Sequence, residues 1–398
     1  MPEAPLTARG AAPLIFVVAG EASGDAMAAR IMAALIERTG GRVRFEGVGG
    51  AAMAQQGLQS LFPIAELSVM GLAEVLPRAP RLLKRLAQLA EAVRSLRPDL
   101  VLTVDSPGFA LRLHRRLAKA GVTRVHCVAP QVWAWRPGRA KRLARLIDHL
   151  LLLFPFEVPL FERHGISCTF IGHPVVESGA GSGSAKAFRE RHRLTREHTV
   201  IAVLPGSRHT EVHRLLPVFA DALRLLARRR PGLVAAVPLA ESVAEEVERA
   251  LKDWPVPTVA IRERAERFDA FAAAACALTK SGTSTLELAL SGVPMVVAYR
   301  VSAPSAALVR RLLQVREVAL VNILLERALV PEFLQEACRP ERLAQAIEEL
   351  LSNPAAIGEQ RKGFEKLRRR LAPEGARPSV RAADALLALL RAETTARR

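Results

Sequence analysis

The sequence contains no apolar run long enough to cross a membrane. Half of its 398 residues are hydrophobic, but no uninterrupted run approaches the roughly 18 to 20 apolar residues that a membrane-spanning helix needs. The first apolar run, near residues 14–19, leads into a glycine-rich turn. No basic segment with a long apolar stretch precedes that run, so we expect a first β-strand there and no signal peptide.

Cysteine and acidic residues are scarce. The four cysteines, at positions 127, 168, 276 and 338, show no paired spacing, which indicates reduced, buried thiols. The 57 Lys and Arg residues outnumber the 39 Asp and Glu residues, and the formal net charge is +18. This charge favours an anionic partner, such as nucleic acid, anionic lipid or a phosphorylated substrate. No zinc finger, aromatic RNA-binding motif or heptad zipper accompanies it, so we expect no nucleic-acid partner.

Two motifs that are common in nucleotide-dependent enzymes are missing as well. The first glycine-rich turn, "GEASGD" (20–25), lacks the spacing GxGxxG, which disfavours a dinucleotide-dependent oxidoreductase. No Asp-x-Asp triplet occurs in the chain, so a nucleotide diphosphate would not be held through a metal bound by such a pair. We expect no cofactor and no metal, with charge neutralisation by Arg208 and by helix N-termini.

Apolar, β-rich runs alternate with amphipathic helical runs along almost the whole chain, which predicts parallel βαβ units. We predict strands near residues 14–19, 43–48, 100–104, 124–129, 148–153, 168–171, 199–204, 233–237, 257–261, 276–280, 294–299 and 318–322. We predict helices near residues 24–38, 78–96, 108–120, 138–146, 210–229, 240–252, 266–275, 283–291, 304–313, 340–352, 355–370 and 378–392. The predicted fold class is α/β, with two Rossmann-like doubly wound domains that face a central cleft.

A stretch of small residues, "ESGAGSGSAK" (177–186), separates the two series of βα units and is typical of a flexible connector. We therefore predict a flexible tail over 1–12, an N-terminal domain over 13–176, a hinge linker over 177–186 and a C-terminal domain over 187–372. The final segment, 373–398, is expected to form a helix that packs back on the first domain. A ligand is expected in the cleft between the domains.

Polar loops follow two of the predicted strands in the first half. In "VAGEASGD" (18–25), Glu21, Ser23 and Asp25 are expected to face the cleft, and a plain turn with Ser23 as helix cap is the alternative. The buried run in "VLTVDSPGF" (101–109) ends on Asp105. This residue is either a helix cap or a functional carboxylate, since open α/β sheets bind ligands at the carboxyl ends of their strands.

Two loops of the second half predict an anion site. In "LPGSR" (204–208) and in "SGTSTLE" (281–287), a strand leads directly into a helix N-terminus, where free amides favour an anion. Arg208 adds a fork of donors that suits a diphosphate, and Glu287 could accept both hydroxyls of a ribose. The alternatives are a solvated loop at the first position and an ordinary capped helix at the second.

Two further segments suggest contact with sugars or lipids. In "APQVWAWR" (129–136), Trp133 and Trp135 could pack on sugar rings or lipid chains, although a structural tryptophan is about as frequent. In residues 66–98, an apolar loop precedes a basic amphipathic helix. Such a helix can lie in a membrane interface, and the alternative is an ordinary core-facing helix.

Together these motifs resemble the lipid A disaccharide synthases, a family of inverting glycosyltransferases with two Rossmann-like domains of the GT-B type. The matching segments span about residues 13 to 370 and read "VAGEASGD", "VMGLAEVL", "VDSPGF", "APQVWAWR", "FPFE", "FIGHP", "LPGSR", "SGTSTLE", "PMVVAYR" and "LVPEFLQ". The resemblance implies transfer of 2,3-diacylglucosamine from its UDP donor to the 6-hydroxyl of 2,3-diacylglucosamine 1-phosphate. It implies inversion to a β-1,6 bond and release of UDP, without a required metal, in lipid A biosynthesis.

The resemblance also implies roles for particular residues, with Asp105 as the general base. The residues expected to bind UDP are Gly206, Ser207, Arg208, Glu211, Ser281, Gly282, Thr283, Glu287 and Asn322. Those expected at the acceptor or in the cleft are Gly20, Glu21, Ser23, Gly24, Asp25, Gln131, Trp133, Trp135 and Arg136. Those expected to contact acyl chains or the membrane are Val69, Met70, Leu72, Val75, Arg78, Arg81, Lys84 and Arg85.

The same resemblance implies a cytoplasmic enzyme that associates peripherally with the inner membrane, and it leaves monomer and homodimer open. One segment departs from the family pattern, because Val321 stands where the family usually has proline and Ala328 where it has glutamate. Two alternative functions remain at this point. One is a UDP-sugar 2-epimerase on the same scaffold, and the other is a non-catalytic lipid-binding protein.

Overall fold

Two parallel β-sheets form the framework of the chain in the computed structural model, which describes residues 12–67, 72–130, 141, 143–301, 317–372 and 377–396. The strands of the first sheet are β1 (Leu14–Ala19), β2 (Arg44–Val48), β3 (Leu100–Val104), β4 (Thr123–Cys127), β5 (His149–Leu152) and β6 (Ser167–Phe170). Those of the second are β7 (Thr199–Leu204), β8 (Leu233–Pro238), β9 (Thr258–Ile261), β10 (Cys276–Lys280), β11 (Met295–Tyr299) and β12 (Glu332–Leu334).

Helices follow most of the strands, as βαβ units require. In the first half they are α1 (Ala22–Thr39), α2 (Ala51–Ala54), α3 (Leu72–Leu96), α4 (Pro107–Arg116) and α5 (Glu157–Glu162). In the second half they are α6 (Ala185–Arg191), α7 (His209–Ala227), α8 (Ala244–Leu251), α9 (Arg264–Ala273), α10 (Ser284–Leu290), α11 (Leu320–Leu325), α12 (Pro340–Ser352), α13 (Pro354–Leu371) and α14 (Pro378–Ala396). Among the described residues, no helix combines the length and the apolar character that a membrane crossing needs.

The central strands are buried along their whole length. Every residue of β1 and of β3 is buried, and these strands read "LIFVVA" and "LVLTV". A parallel sheet that is covered by helices on both faces selects such continuous apolar runs. The described strand pairs are all parallel, with Ile15 opposite Leu100 in the first sheet and Cys276 opposite Ile201 in the second. The predicted α/β class with two doubly wound sheets is thus confirmed.

Contacts divide the chain into two compact units, with boundaries between Pro174 and Val175 and between Arg370 and Leu371. The first unit therefore contains the first sheet and the final helix, α14. This helix lies against α1, where Asp384 pairs with Arg38 at 3.0 Å and Glu37 pairs with Arg377 at 3.2 Å. The domain limits and the hinge linker derived from the sequence stay a prediction.

One predicted strand is wrong. Residues 318–322 were expected to extend the second sheet, but residues 320–325 form α11 and the sixth strand is β12, which the sequence pattern did not predict. A short apolar run fits a helix and a strand equally well. Here Glu332 favours the helix, because its carboxylate accepts hydrogen bonds from the backbone N–H groups of Val318 and Ala319, at 2.8 and 3.0 Å. These bonds satisfy free amides at the start of the helix, as a cap does.

Candidate active site

The order of the strands locates one ligand-binding edge in each unit. In the first sheet, with order β2-β1-β3-β4-β5-β6, the chain changes direction between β1 and β3. In the second, with order β12-β11-β10-β7-β8-β9, it changes direction between β7 and β10. Open α/β sheets bind ligands outside the carboxyl ends of the strands at such switch points. The four polar loops predicted from the sequence follow these four strands.

Asp105 lies in a strained turn directly after β3. Asp105 and Ser106 have φ angles of 60° and 45°, in the left-handed region that residues other than glycine rarely adopt. The turn is fixed on one side by the Asp105 N–H group, which donates to the carbonyl oxygen of Cys127 at 3.0 Å. Such conformations cost on the order of 1–3 kcal/mol each and persist only where the surrounding structure enforces them.

Both oxygens of the Asp105 carboxylate accept hydrogen bonds. The backbone N–H of Ser106 donates to Oδ1 at 2.7 Å, and the hydroxyl of Ser23 donates to Oδ2 at 3.0 Å. The Ser106 hydroxyl in turn donates to the Glu21 carboxylate at 3.3 Å. The structure therefore joins Glu21, Ser23 and Asp105, which the sequence placed in two separate motifs, into one polar cluster in which Ser23 is exposed and the two carboxylates are half-buried.

Two glycines allow the loops after β1 and β3 to approach so closely. A Cβ atom on Gly20 would lie 2.3 Å from the Ser106 hydroxyl oxygen, and one on Gly24 would lie 3.0 Å from the carbonyl oxygen of Val104. The distance at Gly20 is shorter than carbon and oxygen atoms tolerate, whereas the distance at Gly24 would require the neighbouring backbone to shift by a few tenths of an ångström. Packing against the Asp105 turn therefore requires a glycine at position 20 and favours one at position 24.

Asp25, which was predicted to face a ligand, is bound within its own unit. It is 7% exposed, and its carboxylate accepts hydrogen bonds from the backbone N–H groups of Gly50, Ala52 and Met53 at 2.7, 3.0 and 3.2 Å. These donors belong to the first turn of α2 and the residue before it, so Asp25 caps that helix. Its role in this arrangement is to hold the loop after β2 against α1.

A buried layer under the Asp105 turn was not predicted from the sequence. The Thr103 hydroxyl lies 2.7 Å from His114 Nε2 and 2.7 Å from His126 Nδ1, which joins β3 to α4 and to β4. Burial lowers the pKa of His126 to about 4, and burial also lowers the pKa of His114 well below its usual value. Both imidazoles are therefore neutral near pH 7. Alternating polar residues in "LTVDS" and "RVHCV" are the only signal that could have indicated this layer.

Val128, the residue that follows β4, is a third strained position at the same edge. Its φ angle is 75°, which is unusual for a β-branched side chain. Its N–H group donates to the carbonyl oxygen of Leu151 at 3.1 Å, so the sheet holds it in place. Strained residues that cluster at one edge of a fold indicate a functional site.

In the second unit, the loop after β7 is built around Glu211. Gly206 has a φ angle of 123°, and a Cβ atom there would lie 2.5 Å from a Glu211 carboxylate oxygen. The Ser207 N–H group donates to that carboxylate at 3.2 Å, and Arg208 approaches it at 3.4 Å. Glu211 is only 8% exposed, whereas the Arg208 side chain is 57% exposed. Arg208 is thus available to a ligand, and Glu211 shapes the loop.

Lys280 also contacts Glu211 and was missed in the sequence analysis. Its Nζ atom lies 2.9 Å from a Glu211 carboxylate oxygen. The residue ends β10, so this ion pair connects the two loops of the switch point. The position of a lysine immediately before "SGTS" could have indicated it.

Glu287 lies within an ion pair on α10. Its carboxylate is 2.9 Å from Arg267 Nη2, and the two side chains are 12% and 25% exposed. Burial raises the pKa of Glu287, and Arg267 acts in the opposite direction. Burial likewise lowers the pKa of Arg267, which the Glu287 charge partly offsets. Arg267, from α9, therefore holds the carboxylate that the sequence analysis assigned to a ribose.

Two of the predicted UDP-binding side chains are bonded to their own unit. The Asn322 amide, 1% exposed, donates to the carbonyl oxygen of Val330 and to Glu332, and its oxygen accepts from the N–H groups of Leu329 and Val330. All four hydrogen bonds of that amide are therefore made internally. The Ser281 hydroxyl donates to the carbonyl oxygen of Val318 at 2.9 Å. Gly282 and Thr283 follow at the start of α10.

The basic residues of α3 divide into two kinds. Arg85 forms two hydrogen bonds with Glu66, each 2.8 Å long, and lies over the Phe62 ring at 4.5 Å. It therefore packs on its own unit. Arg81 and Lys84 are exposed, and Leu83 between them is 52% exposed.

Some predicted positions lie outside the residues that the structure describes. They are Val69, Met70, Gln131, Trp133, Trp135 and Arg136, the side chains of Leu72, Val75 and Arg78, residues 138–140 and 142 of the predicted helix 138–146 and all of the predicted helix 304–313. In the part that is described, no group of three or more His, Cys, Asp or Glu residues could hold a metal ion.

Two doubly wound units, each with polar loops at its switch point, define the GT-B class of glycosyltransferases and sugar-nucleotide epimerases. The fold resembles a UDP-GlcNAc 2-epimerase from Neisseria meningitidis, with a TM-score of 0.59 and 12% identity over 95% of this chain and 100% of the other. It also resembles the glycotransferase of kitacinnamycin, with a TM-score of 0.62 and 18% identity over 95% and 99% of the two chains. At these identities the likeness concerns the fold alone.

Sequence comparison identifies the family within that class. The family model of lipid-A-disaccharide synthetase matches residues 15–388. The lipid-A-disaccharide synthase of Rhodospirillum centenum is 53% identical over 376 residues, which cover 94% of each chain. That of Granulibacter bethesdensis is 51% identical over 342 residues, 86% of this chain and 87% of the other. The chain belongs to the lipid-A-disaccharide synthetase family and is a glycosyltransferase of lipid A biosynthesis.

Proposed function

We propose that this enzyme transfers 2,3-diacylglucosamine from its UDP donor to the 6-hydroxyl of 2,3-diacylglucosamine 1-phosphate. The product has a β-1,6 bond, formed with inversion, and UDP is released. The observation that carries the proposal is the Asp105 turn, in which a carboxylate is held in a strained conformation at the switch point of the first sheet. Energy stored at one position of a sheet edge favours a catalytic role over a capping role.

Asp105 acts as the general base in this proposal. The acceptor 6-oxygen attacks the anomeric carbon of the donor, its proton passes to the Asp105 carboxylate, and the bond to UDP breaks with its electron pair. General-base catalysis of this kind contributes about 10²–10⁴-fold. The hydrogen bonds from Ser23 and from the Ser106 N–H group orient the carboxylate for that transfer. Gly20, Glu21 and Gly24 complete the acceptor side of the proposed site.

The second unit binds UDP in this proposal. The exposed Arg208 and the amides of residues 206–208 and 282–284 bind the diphosphate, and they stabilise the negative charge that UDP collects as it departs. Glu287 accepts hydrogen bonds from the ribose hydroxyls. Arg267 favours the ionised form of that carboxylate against the effect of burial.

Three of the predicted site residues act as supports. Asp25 holds the loop after β2, Ser281 binds the backbone at Val318, and Asn322 binds the backbone at Leu329 and Val330. We assign them to the shape of the loops and not to contact with substrate. The tryptophan segment 129–136 stays a predicted part of the acceptor site.

The enzyme reaches its lipid substrates, in this proposal, by peripheral association with the cytoplasmic face of the inner membrane. Exposed Arg81 and Lys84 flank the exposed side chain of Leu83 on α3. Basic and apolar side chains next to each other favour an anionic lipid surface. Arg85 is excluded from that surface because it is paired with Glu66.

The experiment that tests the proposed function measures UDP release from UDP-2,3-diacylglucosamine, in detergent, with and without the monosaccharide 1-phosphate acceptor. Wild type and Asp105→Asn are compared, since asparagine keeps the shape of the side chain but cannot accept the proton. We expect acceptor-dependent release from wild type and a loss of about 10²–10⁴-fold in the variant.

UDP binding provides the control, because Asp105 and the proposed UDP site lie in different units. The variant should bind UDP as wild type does. Release that does not depend on the acceptor would contradict a transferase, and unchanged turnover in Asp105→Asn would contradict the role of the base.

A further inference from the structure

Lys280 lies at the switch point of the second sheet, and its role is not explained by the loops alone. We propose that Lys280 binds the diphosphate of UDP together with Arg208. This inference rests on the proposed UDP site and adds a second cation to it. It concerns a residue to which the sequence motif around "SGTSTLE" assigned no role.

The strand register places Lys280 beside the loop that carries Arg208. Thr279 of β10 pairs with Leu204 of β7, so Lys280, the last residue of β10, lies next to Pro205, where the loop after β7 begins. The Lys280 Nζ atom is 3.4 Å from the position of a Cβ atom on Gly282. It therefore lies at the start of the loop "SGTS" and within reach of Glu211, under the loop "PGSR".

The charges at this point do not balance. Glu211 is the partner of both Arg208, at 3.4 Å, and Lys280, at 2.9 Å. The N-terminus of α7, which follows at His209, adds the positive end of a helix of 19 residues. A second carboxylate, Glu246, pairs with His209 at 2.6 Å, so at Glu211 itself one carboxylate faces two cations beside a helix N-terminus. The remaining positive potential favours an anion with more than one negative charge.

Lys280 also keeps donors for such an anion. An ammonium group has three N–H donors, and among the described residues this one has a single carboxylate partner, Glu211. The group lies 5.8 Å from the centre of the Tyr299 ring, and the side chain is 19% exposed. Partial burial strengthens a charge-assisted bond, because water competes less well for the donor.

The test measures the affinity for UDP and for UMP by calorimetry. Lys280→Gln removes the charge, Lys280→Arg keeps it, and Lys252→Gln removes a charge from an exposed position in the same unit. We expect Lys280→Gln to weaken UDP binding about 10- to 100-fold, the usual range for a charge-assisted hydrogen bond. We expect a smaller effect on UMP, which lacks the second phosphate, and near-wild-type binding in the other two variants.

Each outcome shows whether Lys280 binds the diphosphate or only supports the two loops. If Lys280→Gln binds UDP as Lys252→Gln does, the inference fails while the proposed UDP site stands. An equal loss for UDP and UMP would also overturn it, since Lys280 would then only support the loops. If wild type binds no UDP, both the inference and the proposed site fall.

A double variant covers the case in which Lys280→Gln unfolds. Glu211→Gln with Lys280→Gln removes both charges of the pair, so that no buried carboxylate is left without its partner. Thermal unfolding shows whether the double variant folds. A folded double variant that distinguishes UDP from UMP as well as wild type does would overturn the inference.

Discussion

The two switch points of the molecule use different means to build a site. At the first, three residues that carry side chains, Asp105, Ser106 and Val128, adopt positive φ angles over a layer of neutral histidines. At the second, a glycine adopts the positive φ angle, and charged pairs supply the polar groups. Strain fixes one carboxylate in place at the first, whereas the exposed cation at the second suits the anion that we propose binds there. Each half of the fold is thus specialised by its loops while the sheets stay alike.

The sharpest test of this comparison changes one residue in each site and measures both turnover and UDP affinity for each variant. Asp105→Asn should lower kcat about 10²–10⁴-fold and leave the Kd of UDP unchanged. Arg208→Gln should instead raise the Kd of UDP about 10- to 100-fold, because it removes a charged donor from the diphosphate. Steady-state kinetics and calorimetry on both variants provide the measurement. A weaker affinity for UDP in Asp105→Asn would show that the two sites are not separable.

The charged site is expected to be sensitive to the loss of one partner. Arg267→Met leaves Glu287 buried without its cation, which should cost about 3–5 kcal/mol of unfolding free energy. Adding Glu287→Gln should restore most of that stability but not the affinity for UDP, because the proposed ribose contact then has one neutral acceptor oxygen in place of two charged ones. Chemical denaturation checks the stability, and calorimetry checks the binding. Equal stability of wild type and Arg267→Met would show that the ion pair contributes nothing.

The strained site is expected to be sensitive to acid. Burial holds the pKa of His126 at about 4, below the value of about 6.5 in an unfolded chain. The unfolded state therefore binds the proton first. The stability is complete above pH 6.5 and falls as the pH drops towards 4, by up to about 3 kcal/mol from this group.

The variant His126→Gln separates the contribution of His126 to this acid sensitivity from that of the other buried histidines. In His126→Gln the decline due to this imidazole is absent, so the difference in unfolding free energy from wild type should narrow between pH 6.5 and pH 4. Denaturant titrations at several pH values provide the measurement. A difference that stays constant with pH would contradict the neutral, buried state of His126.

The smallest expected effect concerns the contact between the loops of the first site. Gly20→Ala would place a Cβ atom 2.3 Å from the Ser106 hydroxyl oxygen and 2.5 Å from its Cβ atom. We expect a loss of about 1–3 kcal/mol in unfolding free energy. Adding Ser106→Gly removes both atoms and should restore stability, whereas Ser106→Ala keeps the Cβ atom and should not. Equal rescue by both would place the clash elsewhere.

The sequence predicted the framework better than the loops. Eleven of the twelve strands in the described part of the chain were predicted, because buried parallel strands are continuous apolar runs with helices between them. The run around Asn322 was misread, since its helix is fixed by Glu332, ten residues further along the chain. No local pattern reports such a partner.

The sequence predicted which loops form the candidate site, but not the contacts of every residue within them. Asp105, Arg208 and Glu287 follow strands at the switch points, and the topology alone explains their position. The internal hydrogen bonds of Asp25 were not predicted, because its partners lie about a helix and a strand away, at residues 50–53. The ion pair of Lys280 was missed because its partner, Glu211, belongs to another loop.

The place of α14 has a consequence for synthesis on the ribosome. This helix covers α1 in the first unit, where it buries Ala382, Ala383 and Leu386, yet it is translated after the whole of the second unit. While the ribosome makes residues 175–370, the nascent first unit lacks α14, and one face of α1 stays exposed. The second unit is a continuous segment and can fold before the first is finished. Chaperones that recognise exposed apolar surface would therefore meet the N-terminal half of this chain longer than the half that follows it.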